Sequence, residues 1–237
     1  MSPCPSDPIR ICIGFDPRET IAYHVLVQSL LARASHTLAI TPIALDHLGA
    51  VLTRPRDPLQ STDLAFARFL TPWLGGYTGW SLFMDCDMLA EADIAELWAL
   101  RDPRYAVQVV KHDHRPREQH KFLGHAQTRY ARKNWSSVML FDNARCRALT
   151  PAYVNRASGL DLHQFEWLPD DTLIGALPPR WNFLVGYDDP DTCAPALLHF
   201  TSGGPWFDAN RECAFAERWF ASRDALLQAG LPASAAA

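Results

Sequence analysis

The stretch Leu82-Phe-Met-Asp-Cys-Asp-Met-Leu89 ends an apolar run with two carboxylates, Asp85 and Asp87. Side chains two residues apart on a strand point to the same side. The spacing therefore directs both carboxylates to one point and turns Cys86 toward the protein interior. Ligands bind at strand ends in open α/β sheets, and two convergent carboxylates suit Mg²⁺ or Mn²⁺. The alternative is that the two aspartates are ordinary polar residues where the strand passes into a loop, because Asp is common in turns.

Apolar runs alternate with helical periodicity through the first half of the chain. This alternation predicts an α/β fold with a Rossmann-like, mainly parallel sheet flanked by helices. The predicted helices cover 17–34, 62–70, 93–100 and 211–229. Asp16 is the predicted N-cap of the first helix, with Glu19 as its reciprocal cap. The second helix is expected to stop near Pro72. The predicted strands cover 9–14, 38–45, 80–84, 105–110, 137–141, 181–185 and 196–200.

Composition limits the class of protein. With 237 residues, 48% of them hydrophobic, the chain fits one domain, which we place at residues 9–230 between a flexible N-terminus (1–8) and a flexible tail (231–237). A net charge of −4 does not favour a nucleic-acid partner. The first residues lack the pattern of a signal peptide, and no apolar run is long enough for a transmembrane helix, so we expect a cytoplasmic protein. The six scattered cysteines are expected to be free thiols.

Several motifs follow one another in an order that resembles one family. Residues 61–72 precede the D-x-D strand, and residues 134–140, 168–174 and 196–206 come after it. Together they resemble the GT-A nucleotide-sugar glycosyltransferases, in particular the retaining family 8 of the glycogenin and lipopolysaccharide galactosyltransferase type. The resemblance extends over about residues 9–207, and it depends on the order and spacing of the motifs.

The resemblance implies a role for each matching position. Asp85, Asp87 and His199 would hold the metal ion, and Arg68 would contact the donor sugar or a phosphate. Asp170 and Asp171 would lie beneath the sugar, with Asp171 near the anomeric carbon. The nucleotide and its diphosphate would be contacted by Phe15, Asp16, Asp85, Gly203, Gly204 and Trp206.

The residues themselves leave alternatives open at most of these positions. A histidine in an apolar strand, such as His199, can be a hydrogen-bonded core residue, and Arg68 can be a surface residue. Asp170 and Asp171 also fit the N-cap and first turn of a helix, as Asp16 does at its own helix. Gly203 and Gly204 can belong to an ordinary turn, and Trp206 can be a core residue.

The chain departs from the family pattern at three positions. Gly204 replaces the lysine that precedes Pro-Trp in the family, Trp135 stands where the family has Asn, and Asp171 replaces Gln. A basic residue from segment 111–133 could substitute for the missing lysine, as a loop over the diphosphate or near an anionic acceptor. His112-x-His114 in that segment has no partner at zinc-site spacing.

These observations predict a glycosyltransferase that requires Mn²⁺ or Mg²⁺. It would move a sugar, with retention, from a nucleotide-sugar donor such as a UDP-hexose to the hydroxyl of a saccharide, glycan or lipid-linked acceptor. A nucleotidyltransferase of related fold is one alternative, although no glycine-rich loop with a basic residue follows the first strand. A non-catalytic nucleotide-sugar-binding module is another, and the missing lysine favours it.

Overall fold

The computed structural model describes residues 7–55, 64–113 and 132–228. Several predicted features lie wholly or partly outside these ranges. They are the tail at 231–237, most of the N-terminus at 1–8, the start of the helix predicted from Thr62, and residues 114–131 of the basic segment.

The main sheet of the described chain has six strands in the order β2-β1-β3-β6-β5-β7. Strands β1, β2, β3, β5 and β7 run in one direction and β6 runs against them. The predicted α/β fold with a mainly parallel sheet is therefore confirmed. The strands are β1 (Ile9–Phe15), β2 (Leu38–Ala44), β3 (Trp80–Met84), β5 (Val107–Val109), β6 (Val138–Asp142) and β7 (Ile174–Ala176).

A smaller sheet, in the order β4-β9-β8, begins directly after the D-x-D. Its strands are β4 (Met88–Ala90), β8 (Phe183–Leu184) and β9 (Leu197–His199). Antiparallel pairing places Met88 opposite His199. The pairing brings His199, more than a hundred residues further along the chain, next to the two aspartates.

The helices differ from the predictions in extent and in number. The helix predicted over 62–70 is wrong in its described part, where residues 64–66 form a turn and Ala67–Leu70 form a 3₁₀ helix. The helices at 151–156 and 159–163 were not predicted. A 3₁₀ turn (Pro17–Glu19) precedes the first helix. Glu19, predicted as a reciprocal cap, is buried, and the Cys86 thiol lies 4.0 Å from its carboxylate. Pro72 does not stop a helix, because it lies in the first turn of one, where its missing N–H costs nothing. The helices are α1 (Thr20–Arg33), α2 (Thr71–Leu74), α3 (Ile94–Trp98), α4 (Pro151–Arg156), α5 (Gly159–His163) and α6 (Ala216–Gln228).

Apolar side chains cover both faces of the main sheet. Phe83 and Met139 belong to one buried cluster, whereas their neighbours Leu82 and Leu140 belong to another. This arrangement explains why the strands read as continuous apolar runs. Free thiols were expected, and the cysteines of the described chain are free: Cys12, Cys86, Cys146, Cys193 and Cys213. No helix in the described ranges has the length and apolar character needed to span a membrane.

Candidate functional site

Asp85, Asp87 and His199 converge at the carboxyl end of β3. Each offers one potential ligand atom, and these atoms all lie within 4.8 Å of one another. The Asp85 amide donates to the Ser137 carbonyl at 3.0 Å, which fixes the chain as it leaves β3. Cys86 points inward and is buried. The predicted convergence of the two carboxylates is thus present, and the third residue implied by the resemblance joins them.

Hydrogen bonds determine which nitrogen of His199 faces the aspartates. The Asn182 amide nitrogen donates to the Asn134 carbonyl at 3.0 Å, so the Asn182 carbonyl oxygen is the atom that lies 2.8 Å from His199 Nδ1. Nδ1 must therefore carry a proton. His199 Nε2 then faces Asp87 Oδ2 at 3.5 Å. In the neutral imidazole both atoms are acceptors, an arrangement that a cation bound between them would stabilise.

Arg68 forms an ion pair with Asp85 beside this cluster. Its NH2 lies 2.9 Å from Asp85 Oδ1, and its NH1 donates to Oδ2 at 3.2 Å and to the Ser136 carbonyl at 3.0 Å. Arg68 is only 6% exposed, so the surface alternative is wrong, and the chain itself supplies an anionic partner. Each carboxylate oxygen has two lone pairs. The ion pair with Arg68 by itself does not use every lone pair of Asp85, and contact of Arg68 with a donor sugar stays a prediction.

The turn formed by residues 134–137 supports all of these side chains. The carbonyls of Asn134, Ser136 and Ser137 accept hydrogen bonds from Asn182, Arg68 and the Asp85 amide, respectively. Asn134 has a φ of 64°, in the left-handed region that Asn tolerates better than most residues. Residues 134–140, one of the segments on which the resemblance depends, thus contain the turn that supports the candidate ligands.

Asp170 and Asp171 have structural roles at the start of a 3₁₀ turn (Asp171–Leu173). The Asp170 carboxylate accepts a hydrogen bond from the Thr172 amide at 2.7 Å, which lowers the pKa of Asp170. Asp171 pairs with Arg132, and its side chain is 71% exposed. The N-cap alternative is confirmed for Asp170, and the catalytic roles of both residues stay predictions.

Phe15 and Asp16 lie at the carboxyl end of β1. Asp16 is buried, accepts from the Arg18 amide at 2.9 Å and pairs with the Arg18 guanidinium, so the predicted cap is confirmed. Phe15 packs edge-to-face on Tyr23 and lines a cavity of about 280 Å³. The other lining residues are Pro17, Tyr23, Pro42, Ala44, Leu45, Asp46 and His47. The cavity lies where an open α/β sheet binds ligands.

Gly203, Gly204 and Trp206 have packing and turn roles of their own. Gly203 has a φ of 107°, and its amide donates to the Phe200 carbonyl at 2.7 Å, so this N–H is already used within a turn. A Cβ on Gly204 would lie 2.0 Å from the Trp206 ring. That ring packs against Trp219, with centroids 5.4 Å apart. These contacts explain the residue types, and contact with a diphosphate or nucleotide stays a prediction.

The described ends of the basic segment lie near Trp135. Lys111 Nζ is 5.7 Å from the centre of the Trp135 ring, and Lys133 is buried. Burial lowers the pKa of His112 to about 4, and the neighbouring Asp188 carboxylate opposes this shift. In the described part of the chain, Asp85, Asp87 and His199 form the single group of three or more potential metal ligands, and His112 does not belong to it.

A curated relative identifies the family. Protein CDI of Arabidopsis thaliana is 46% identical to the chain over 221 residues, which cover 90% of the chain and 85% of Protein CDI. The chain belongs to the Protein CDI family. No family model matches the chain.

Solved structures identify the fold as GT-A. WbbM, described as a bifunctional glycosyltransferase, has a TM-score of 0.67 and 15% identity over 98% of the chain and 51% of WbbM. The glycosyltransferase GlyE of Streptococcus pneumoniae has a TM-score of 0.60 and 16% identity over 93% of the chain and 63% of GlyE. The galactosyltransferase LgtC has a TM-score of 0.55 and 15% identity over 94% of the chain and 98% of LgtC. The chain thus spans about half of WbbM and under two thirds of GlyE.

Asn182 is a residue of the candidate site that the sequence analysis missed. It is fully buried and contacts both His199 and Asn134. Its signal in the sequence is a lone amide between Trp181 and Phe183, inside a segment that we predicted as an apolar strand. A buried amide in such a position requires hydrogen-bond partners, and these partners indicate its role.

Proposed function

We propose that the protein is a metal-dependent glycosyltransferase of the family 8 type. It transfers a hexose, with retention, from a UDP-sugar to the hydroxyl of a saccharide, glycan or lipid-linked acceptor. The observation that carries the proposal is the convergence of Asp85, Asp87 and His199 at the end of β3 in a GT-A fold. Family resemblance supports the nucleotide and the stereochemistry.

The chemistry of the three side chains fits Mn²⁺ or Mg²⁺. Two carboxylates supply the oxygen ligands that hard cations prefer, and an imidazole lone pair faces Asp87 across 3.5 Å. A divalent cation held there would offset the negative charge that grows on the departing diphosphate. Asp87 and His199 are both nearly buried. Water therefore screens the interaction of the Asp87 charge and the His199 dipole with a bound cation only weakly.

The neighbouring residues would bind the rest of the donor. The cavity beside Phe15 and Tyr23 presents aromatic walls with Asp46 and His47 at its edge, which suits a base that stacks and forms hydrogen bonds. Arg68 would reach a donor hydroxyl or phosphate while it holds Asp85 in place. Asp171 would approach the anomeric carbon, and this approach requires it to separate from Arg132.

Release of UDP tests the proposal. The protein is incubated with UDP-glucose and UDP-galactose, each with and without Mn²⁺, and free UDP is measured. We expect release that requires Mn²⁺ and is lost in Asp87→Ala. Asp102→Ala is the matched control, because Asp102 pairs with Arg104 in a largely exposed turn outside the metal-ligand cluster. Tight UDP-sugar binding without release would favour a binding module, and pyrophosphate-dependent exchange would favour a nucleotidyltransferase.

A further inference from the structure

Asn182 lies between the candidate metal ligand His199 and the supporting turn at 134–137. It ends a 3₁₀ turn (Pro179–Asn182) that leads into β8, and β8 pairs in parallel with β9, which carries His199. Asn182 is fully buried. Both ends of its amide are used, since the nitrogen donates to Asn134 and the oxygen meets His199.

The Asn134 contact allows only one orientation of the Asn182 amide. A backbone carbonyl can only accept, so it must meet the Asn182 nitrogen. The Asn182 oxygen is then directed at His199 Nδ1, which must donate. In the opposite orientation, two oxygens would face each other in the interior, which costs the desolvation of both.

We propose that Asn182 is a positioning residue that fixes the tautomer and the ring orientation of His199 for metal binding. The inference rests on the proposed function, because it assigns His199 Nε2 to the ion shared with Asp85 and Asp87. Ligating histidines depend on such partners, whose removal typically weakens metal binding about 10–100-fold. Asn182 is not one of the three candidate ligands, and its effect on the metal is exerted through His199.

Asn143 provides a matched control within the same protein. It is also fully buried, and its amide nitrogen donates to the Thr78 carbonyl at 2.9 Å and to Ser81 Oγ at 2.8 Å. It follows β6 at the end that pairs with Trp80, whereas Ser137 and the candidate ligands lie at the opposite end of the β3–β6 pair. Asn143→Ala therefore removes a comparable buried amide without disturbing His199.

Two measurements test the inference, and neither depends on turnover. Titration with Mn²⁺ should give a dissociation constant about 10–100-fold higher for Asn182→Ala than for the wild type. The dissociation constant of Asn143→Ala for Mn²⁺ should stay within about twofold of the wild-type value, because a difference of that size requires no change in the geometry of the metal ligands. Long-range ¹H–¹⁵N spectra of the metal-free wild type should show the His199 Nδ1 protonated, and this result does not depend on whether a variant folds.

The possible failures are distinguishable. If the wild type binds no Mn²⁺, the metal site and the proposed function are both wrong. If the wild type binds Mn²⁺ and folded Asn182→Ala binds it equally well, the inference about Asn182 is wrong while the proposed function stands. An unprotonated Nδ1 in the wild type would also overturn the inference. Equal weakening in the Asn143 and Asn182 variants would show a general effect of lost stability and would overturn it as well.

Discussion

Replacement of Arg68 by methionine tests whether the Arg68–Asp85 pair stabilises the site. Methionine keeps an unbranched apolar stem near Phe83, 5.3 Å from the present guanidinium, and removes the charge. Removal of one partner from a buried ion pair typically costs about 3–5 kcal/mol. Because the Asp85 side chain is 19% exposed, we expect a loss near the lower bound, about 3 kcal/mol in the free energy of unfolding.

Urea unfolding of Arg68→Met, Asp85→Asn and the double variant provides the measurement. The double-variant cycle should give a coupling energy above about 1 kcal/mol, since the two side chains share two hydrogen bonds. Arg104→Met is the control, because Arg104 pairs with Asp102 in similar geometry but is largely exposed, and it should have little effect. Losses that add within about 0.5 kcal/mol would refute the reasoning, because independent sites behave in that way.

Three further predictions concern the metal ligands, the glycine turn and a buried histidine. Asp87→Ala should abolish the Mn²⁺-dependent part of UDP binding while circular dichroism stays unchanged; unchanged UDP affinity in Mn²⁺ would contradict its role. Gly204→Ala should destabilise the protein by about 1–3 kcal/mol, because its Cβ would overlap the Trp206 ring, whereas Gly49→Ala, where a Cβ meets open space, should have little effect. Burial lowers the pKa of His163 well below its usual value of 6.5, so the unfolded chain binds a proton that the folded chain does not. Stability should therefore fall by up to about 1.4 kcal/mol per pH unit as the pH drops below about 6.5, and His163→Gln should show a shallower fall in urea unfolding.

Local patterns were sufficient to predict much of the fold and the convergence of the two aspartates. Side-chain alternation along a strand places Asp85 and Asp87 on one side, and the apolar run before them explains the buried strand β3. Strands β4 and β7 and helices α4 and α5 were missed, because segments of three to six residues show little periodicity. Strands β5 and β9 are equally short, but we predicted them as parts of the longer apolar segments 105–110 and 196–200.

Long-range hydrogen bonds account for what the sequence did not predict. Asn182 meets His199 17 positions away and Asn134 48 positions away, and no local pattern encodes such pairs. The ionic partner of Arg68 depends on the same kind of tertiary contact. The packing of the Trp206 ring against Gly204 is a further contact that no local pattern predicted.

An anomalous difference map from crystals grown with Mn²⁺ and UDP tests the central claim most directly. The account predicts one strong manganese peak in contact with a carboxylate oxygen of Asp85, a carboxylate oxygen of Asp87 and Nε2 of His199, with the Arg68–Asp85 pair still formed. A map with UDP bound and no manganese peak among these three side chains would contradict it.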